Sequence, residues 1–421
     1  MTGRSLRESV TEAAGLAGDS LRTHRARSVL AITGIVIGIV TVVLIASVLA
    51  NVRNQIALLF RDLGTENIFA FHVTGDPYAA VSEKEARRLP LRIEWVDDVR
   101  RLTASAKDVG AEIIVPTTSA SGVLVARAGG NESDSVLVEG VTPTFFDIVG
   151  AEFDRGRPFT PLEDRAAAKV AVVGASLSEA LFGADDPIGR TLTLGGDTYT
   201  VVGALKKRRG GFLGENRNDS VLSLPAGTAR KRFGTPERVV FYVQAKPGER
   251  DRCFRETEAA LRTLRKLPPT ADNDFTLSTA DSIIATFDGI SAQIGLATFG
   301  LAAVSLIIGA IGIANVMFIS VTERTREIGL RLAVGARRRE VLLQFLLEAV
   351  FLSGLGGVAG VVTALAIGLL LTLVISGFSA VAPLWAIASG IFASILVGII
   401  AGYVPAVRAA RLDPVEALRY E

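Results

Sequence analysis

Three uncharged stretches constrain this chain more than anything else in it: 23 residues at 28–50, 34 at 289–322 and 59 at 349–407. A helix rises about 1.5 Å per residue and the hydrocarbon core of a bilayer is about 30 Å thick. The first stretch therefore crosses once, the second exceeds one crossing, and the third holds two crossings joined near 376–383. The sequence predicts an α-helical membrane protein with four transmembrane helices, at 28–50, 289–322, 341–373 and 384–405. The segment 51–288, between the first two, has the mixed polarity of a folded domain. Composition agrees: 49% hydrophobic residues and a mean hydropathy of +0.41 are too apolar for an ordinary soluble protein, yet 21% of residues are charged. Residues 48–50 resemble a signal-peptidase site, but the run before them is longer than the roughly 7–15 residues of a signal-peptide core, so an uncleaved anchor is expected.

Arginine placement gives an orientation. Arg22, Arg25 and Arg27 precede the first span; Arg324, Arg326, Arg331, Arg337, Arg338 and Arg339 load the loop between the second and third; Arg408, Arg411 and Arg419 follow the fourth. The loop between the third and fourth spans has none. Positive charge stays on the cytoplasmic side. The segment 1–27, the loop 323–340 and the tail 406–421 are therefore expected inside, and the large domain outside. Residues 4–27 mix charges with Leu6, Val10, Leu16 and Leu21, and read either as an amphipathic helix on membrane lipid or as a polar tail. A net charge of +2 argues against a nucleic-acid partner. One cysteine, Cys253, cannot close an internal disulfide, and two histidines, His24 and His72, offer no zinc set, so no cofactor or metal is expected in this chain.

Beyond the first span, Ile56, Leu59, Phe60 and Leu63 keep a three-to-four spacing up to Gly64, a natural helix end. One helix over 28–63 would be about 54 Å long and stand about 20 Å above the bilayer as a stalk, or else pack as a domain-entry helix. The domain after it reads as α+β. Strands are expected at 67–73, 113–115, 135–138, 169–173, 198–202 and 239–243, and helices at 83–102 (interrupted at Pro90), 176–182 and 250–267. Asp185 and Asp186 fall in a turn, where carboxylates cap backbone amides more readily than they bind metal. The basic run 206–211 reads either as a solvated loop or as a contact for a partner or an acidic ligand. No GxxxxGK[ST] is present to cradle nucleotide phosphates. Ser278 followed by Asp281 is a candidate helix cap for the return to the membrane.

The charged island ERTREIGLRLAVGA, 323–336, separates the second and third spans. Arg324, Glu327 and Arg331 share one helical face, Ile328 and Leu332 another, and Gly335 is placed to end the helix. Glu323 with Arg326 and Glu327 with Arg331 have helix-favouring spacing, about 0.2–0.5 kcal/mol each. The island is either a solvated turn whose arginines hold topology or a short helix that receives a push from a partner. Glu348, at the start of the third span, sits at the interface or faces another helix. Gly34 with Gly38, Gly356 with Gly360, and Gly398 with Gly402 form GxxxG pairs that permit close helix approach, within the chain or at a dimer seam.

The island and its continuation to Arg339, together with the ending PAVRAARLDPVEALRYE, resemble the MacB-like ABC transporter permeases, a family that includes FtsX and LolC types. In the domain, GVTPTFFDIVGAEFDRGRPFT from Gly140 and VAVVGASLSEALFGADDPIGRTLTLGGDTYTVVGAL from Val170 resemble the MacB-type ectodomain. The resemblance covers nearly all of the chain after residue 20. It implies a permease subunit that couples a separate cytoplasmic ABC ATPase, carrying the ATP and Mg, to motion of the outer domain. Glu323, Arg324, Arg326, Glu327, Ile328, Arg331, Leu332 and Gly335 would form the coupling element. It also implies a second permease copy, identical or not, and leaves room for an extracytoplasmic partner. Peptide, antibiotic or lipoprotein export fits; so does an FtsX-like regulator of a cell-envelope enzyme that transports nothing. A membrane enzyme has less support, since no nucleophile, base or metal cluster stands out.

Overall fold

The computed structural model describes residues 25–62, 64, 66–73, 88–116, 118–119, 122–207, 217–234, 238–374 and 381–419. The amphipathic reading of 4–24, Leu63 of the stalk and most of the basic run 206–211 lie outside them. In chain order the helices are α1 (Arg25–Asp62), α2 (Val96–Leu102), α3 (Phe145–Ile148), α4 (Pro161–Arg165), α5 (Ala175–Phe182), α6 (Ala226–Phe233), α7 (Arg250–Leu264), α8 (Ala280–Glu323), α9 (Thr325–Ala333), α10 (Arg338–Val374), α11 (Leu384–Ala410) and α12 (Pro414–Arg419). The chain divides into a membrane unit, 1–53 with 288–421, and an inserted unit, 54–287.

The inserted unit is built on a mixed sheet. Its strands are β1 (Asn67–Phe71), β2 (Ala106–Val115), β3 (Thr118–Ser119), β4 (Gly122–Val123), β5 (Ala126–Ala128), β6 (Asn131–Ser133), β7 (Leu137–Val141), β8 (Phe153–Gly156), β9 (Val170–Val173), β10 (Thr191–Leu194), β11 (Asp197–Leu205), β12 (Val221–Pro225), β13 (Val239–Ala245) and β14 (Thr276–Thr279). The main sheet runs β14-β1-β13-β2-β7-β12-β9-β11-β10-β5-β6, with β8 beside β11 and with β7/β12 and β9/β11 parallel. Alternation along each strand feeds two cores. Ile68, Ala70, Val239, Phe241 and Val243 face one side, covered by Val96 and Val99 of α2, Leu177 and Leu181 of α5, and Cys253 and Leu261 of α7. Phe69, Phe71, Val240 and Tyr242 face the other with α3. There the Phe145 and Tyr242 rings meet edge to face at 5.0 Å, and the buried Tyr242 hydroxyl donates to Glu112 Oε2 at 2.5 Å.

Several local expectations shift by a residue or more. The described part of the helix expected at 83–102 begins late: Pro90 lacks an amide hydrogen and disfavours helix before it, so Ile93–Trp95 is a 3₁₀ turn and α2 starts at Val96. The strand expected at 135–138 is β7, moved to 137–141. The cap of α8 is Thr279 rather than Ser278: Thr279 Oγ1 accepts from Ser282 N, and Ser282 Oγ accepts from Thr279 N. Asp281 instead pairs with Arg250 at 2.7 Å. In the 185–189 turn, Asp186 Oδ1 accepts from Ile188 N at 3.1 Å, while Asp185 and Asp186 pair with Arg190 and Arg155.

A capping box opens α4, where Thr160 Oγ1 accepts from Glu163 N and Glu163 Oε2 accepts from Thr160 N. Arg157 grips the same carboxylate through two nitrogens at 2.7 and 2.9 Å, and this, with the Thr160 bonds and against partial burial, holds Glu163 down at about 2.

Among the described residues of the membrane unit, four helices are long and apolar enough to cross a bilayer: α1, α8, α10 and α11. Ala31, Ile35, Ile39 and Val43 of α1 point into their shared core with Ile313, Met317 and Val321 of α8, Phe345, Ala349 and Leu352 of α10, and Ala401 and Ala406 of α11. All six GxxxG glycines lie in contacts inside this chain. A Cβ on Gly34 would stand 3.0 Å from Gly309 Cα of α8, one on Gly38 3.2 Å from Ala302 O, and ones on Gly356 and Gly360 3.2 and 3.0 Å from Ile35 and Ile39 of α1. Between α10 and α11 the fit is reciprocal: a Cβ on Gly357 would meet Ser394 Oγ at 2.3 Å, one on Gly398 would meet Ser353 Oγ at 2.1 Å, and one on Gly402 would meet Ala349 Cβ at 2.4 Å. Both serines turn their hydroxyls onto their own helix, to Val350 O and Ile391 O, so neither leaves a polar group bare in the core.

Two outcomes follow. Gly398→Ala would also place its methyl 2.8 Å from Val350 Cα, a backbone atom that cannot turn aside. Overpacking of this kind costs about 1–3 kcal/mol, so detergent-solubilised Gly398→Ala should lose thermal stability, whereas Gly354→Ala, with open space around it, should not. The second outcome concerns pH. Because Glu163 is depressed from an ordinary 4.5 to about 2 in the folded state, its stabilisation is complete above the unfolded value and is lost as pH falls from about 4.5 towards 2. The difference in urea midpoint between pH 7 and pH 3 should therefore shrink in Glu163→Gln; an unchanged difference would show that the Arg157 grip contributes nothing.

Candidate functional site: the charged element between the second and third spans

The charged island folds as a one-residue break and a short helix. α8 ends at Glu323, Arg324 is non-helical (φ −101°, ψ 14°), and α9 runs from Thr325 to Ala333. Thr325 Oγ1 back-bonds to Val321 O and Thr322 O at 3.0 and 2.9 Å. At the other end Gly335 takes φ +102°, its amide donates to Leu332 O, and the Ala336 amide donates to Arg331 O. That pair of bonds is the Schellman arrangement, for which glycine is the natural residue because it adopts positive φ without strain. α10 begins directly afterwards, with Glu340 Oε2 accepting from Arg337 N at 3.1 Å.

Burial sorts the island into three faces. Ile328 is buried in the membrane unit's core with Leu332 beside it. Gly329 lets α12 approach: a Cβ there would stand 2.5 Å from Ala417 Cβ. α12 is capped by Asp413, whose Oδ1 accepts from Val415 N. Glu323, Arg326, Glu327, Leu330 and Val334 face outward, with Leu330 56% and Val334 83% exposed, and Leu418 of α12 joins Glu323, Arg324, Arg326, Glu327 and Leu330 in lining a groove there.

Arg324, Glu327 and Arg331 make different contacts, although Arg324 and Glu327 line the same groove. Glu327 is outward and paired with Arg331, but the two arginines turn towards α10. Arg324 Nη1 lies 3.6 Å from Oε2 of Glu348, whose side chain is 1% exposed, and Arg331 Nη1 donates to Gln344 Oε1 at 2.9 Å. Glu348, open to two readings from sequence, thus faces a neighbouring element. Gln344 was detectable as the polar residue one helical turn before it at the edge of an apolar run; Ala417 carries no signal at all. Of the stalk residues, Ile56 is half-buried, and Leu59 and Phe60 lie in α1, whose last residue is Asp62; Gly64 has φ +89°. Where α1 and α8 leave the membrane unit, Arg53 grips Asp288 through Nε at 2.7 Å and Nη2 at 3.2 Å.

Sequence comparison gives this architecture its class. The profile of the MacB-like periplasmic core domain matches residues 28–258, and that of the FtsX-like permease C-terminal region matches 299–414. The macrolide export ATP-binding/permease protein MacB of Bradyrhizobium diazoefficiens is 33% identical over 96% of the chain, and MacB 2 of Aeromonas hydrophila is 33% identical over 97%. A probable syringafactin export ATP-binding/permease protein of Pseudomonas syringae pv. tomato is 31% identical over 97%. The chain spans about three fifths of the length of these relatives, 59%, 61% and 58%. It is an ABC transporter permease with four membrane-spanning helices and an extracytoplasmic domain between the first and second. It belongs to the MacB-like permease family.

Proposed function

We propose that this chain is the permease subunit of an ATP-driven export or mechanotransmission system, in which a separate cytoplasmic ABC ATPase docks on α9. The observation that carries this reading is the outward stripe of Arg326, Glu327 and Leu330 on α9, flanked by Glu323 and Val334 and anchored by Ile328 and Gly329. An exposed leucine and valine among alternating charges is the composition of a docking surface, whereas a loop that merely held topology would need only its arginines. ATP and Mg would be held by that ATPase, in keeping with the ATP-binding/permease names of the relatives. The arginine asymmetry supports cytoplasmic N- and C-termini. A second permease copy completes the assembly, and the cargo is a peptide, an antibiotic or a lipoprotein, in keeping with the export names of the relatives. Motion would pass along α1 and α8, which are longer than a crossing requires.

The docking reading is tested by Glu327→Lys and Leu330→Glu in the tagged chain purified from its host membrane. Both should reduce the amount of co-purifying ATPase and the ATP hydrolysis of the complex, because one reverses a charge on the stripe and the other places a carboxylate on its apolar centre. Hydrolysis equal to that of the parent complex in both variants would return the element to a topological role.

Transmission is tested separately. Replacing Ile56 and Leu59 with glycine adds about 1 kcal/mol of helix-propensity cost at each position and softens α1 far from α9. The doubly substituted protein should insert, bind its ATPase and hydrolyse ATP while export fails. Full export at matched membrane abundance would reduce the helix to a tether.

A further inference from the structure

We infer that Arg324 and Arg331 form a two-rung ladder onto α10, and that this ladder sets the angle at which α9 leaves α8, so that a push on α9 is delivered to the third span. The inference rests on the docking reading for its purpose, but not for its geometry. Arg324 and Arg331 are seven residues apart on the charged island, and their partners, Glu348 and Gln344, are four apart on α10. The two connections run in opposite order, the earlier arginine to the later partner, as expected for two elements lying antiparallel side by side. A single contact leaves an element free to pivot, whereas two contacts spaced along it fix a direction.

The rungs differ in kind. At the Arg331–Gln344 end the arginine is 41% exposed and also pairs with Glu327, so water and a neighbour share its charge. At the other end Glu348 is 1% exposed between Phe345 and Leu352 of the core, and Arg324 is 22% exposed. A carboxylate in that setting is costly to ionise without a cation, and removing one partner of a buried pair leaves the other charge uncompensated. Arg324, the one non-helical residue between α8 and α9, brings a guanidinium to that carboxylate. The buried pair therefore fastens the bend itself, while Ile328 and Gly329 hold the body of α9. Arg324 and Glu348 are thus positioning residues, acting on the coupling element from behind.

The test reads geometry without an ATPase. Spin labels at Val334→Cys, 83% exposed at the end of α9, and at Leu343→Cys, 54% exposed on α10, report their separation by pulsed EPR on the full chain in lipid nanodiscs; the native Cys253 is buried and stays unlabelled. In this background Glu348→Gln, which keeps the shape and removes the charge, should shift or broaden the distance distribution by an amount on the order of half a helical turn, about 3 Å. The exchanged pair Arg324→Glu with Glu348→Arg should restore the parent distribution. An unchanged distribution in Glu348→Gln overturns the ladder. So does a shifted one that the exchange fails to restore, since polarity at position 348 rather than the pair would then be responsible. A restored distribution supports the ladder even if Glu327→Lys leaves ATPase binding untouched, in which case only the docking reading falls.

Discussion

The membrane unit depends on how closely α1 can approach its neighbours. Ile35 and Ile39, both fully buried, press against Gly309 of α8, Gly356 and Gly360 of α10, and Gly390 of α11. In a bilayer, lipid tails are as apolar as these side chains, so transfer from water drives nothing and packing must do the work. Dispersion falls off within about 1 Å of optimal separation, so an isoleucine seated in a glycine notch gains what the same residue against a leucine would forfeit. That α1 touches all three other spans explains why glycine recurs in each of them. The serines of the α10–α11 contact extend the rule, since each occupies the space above a glycine and keeps its hydrogen bond within its own helix.

Much of this was legible, but in one sense only. Uncharged length announced four spans because the bilayer sets a minimum length and forbids unpaired charge, and these requirements act on each segment separately. The GxxxG pairs announced close approach for the same local reason. Which surface approaches which is a property of two segments together, and a single sequence does not encode it at any fixed spacing. Gly34 and Gly38 could equally have marked a seam between copies; their use against α8 emerges from coordinates alone. In the inserted domain the apolar runs of β1 and β13 gave away both strands, whereas β5 and β6, three residues each with only Ala126 and Ala128 apolar, offer no run to detect. The Thr160–Glu163 box was written plainly as T-x-x-E, and the helix it opens is only five residues long, too short for hydrophobic periodicity to draw notice to it.

The charged island shows the same division at finer grain. Helical spacing correctly put Arg324 and Arg331 on a common side, and Ile328 with Leu332 on another, because a period of 3.6 residues fixes relative direction. Direction relative to what is a separate matter. Exposed charge is the usual condition of arginine, so a partner outside the chain was the natural assignment. The structure supplies an inside partner because α10 carries polar groups one turn apart just where the arginines arrive. The apolar residues Leu330 and Val334, off the Ile328–Leu332 face, are the ones left in the open.

That inversion bears on how force can pass through such an element. A helix that receives a push needs an outer surface able to bind and release, and an inner attachment that does not give. The outer stripe here is mixed and half-solvated, where single ion pairs are worth about 0–1 kcal/mol and exchange readily. The inner attachment has a buried carboxylate, and breaking a buried ion pair by removing one partner costs about 3–5 kcal/mol. Placed in series, the contact that yields is the outer one. On the docking reading proposed above, the bend at Arg324 would stay closed while a partner came and went, and displacement of α9 would be handed to α10 rather than absorbed at the break between α8 and α9.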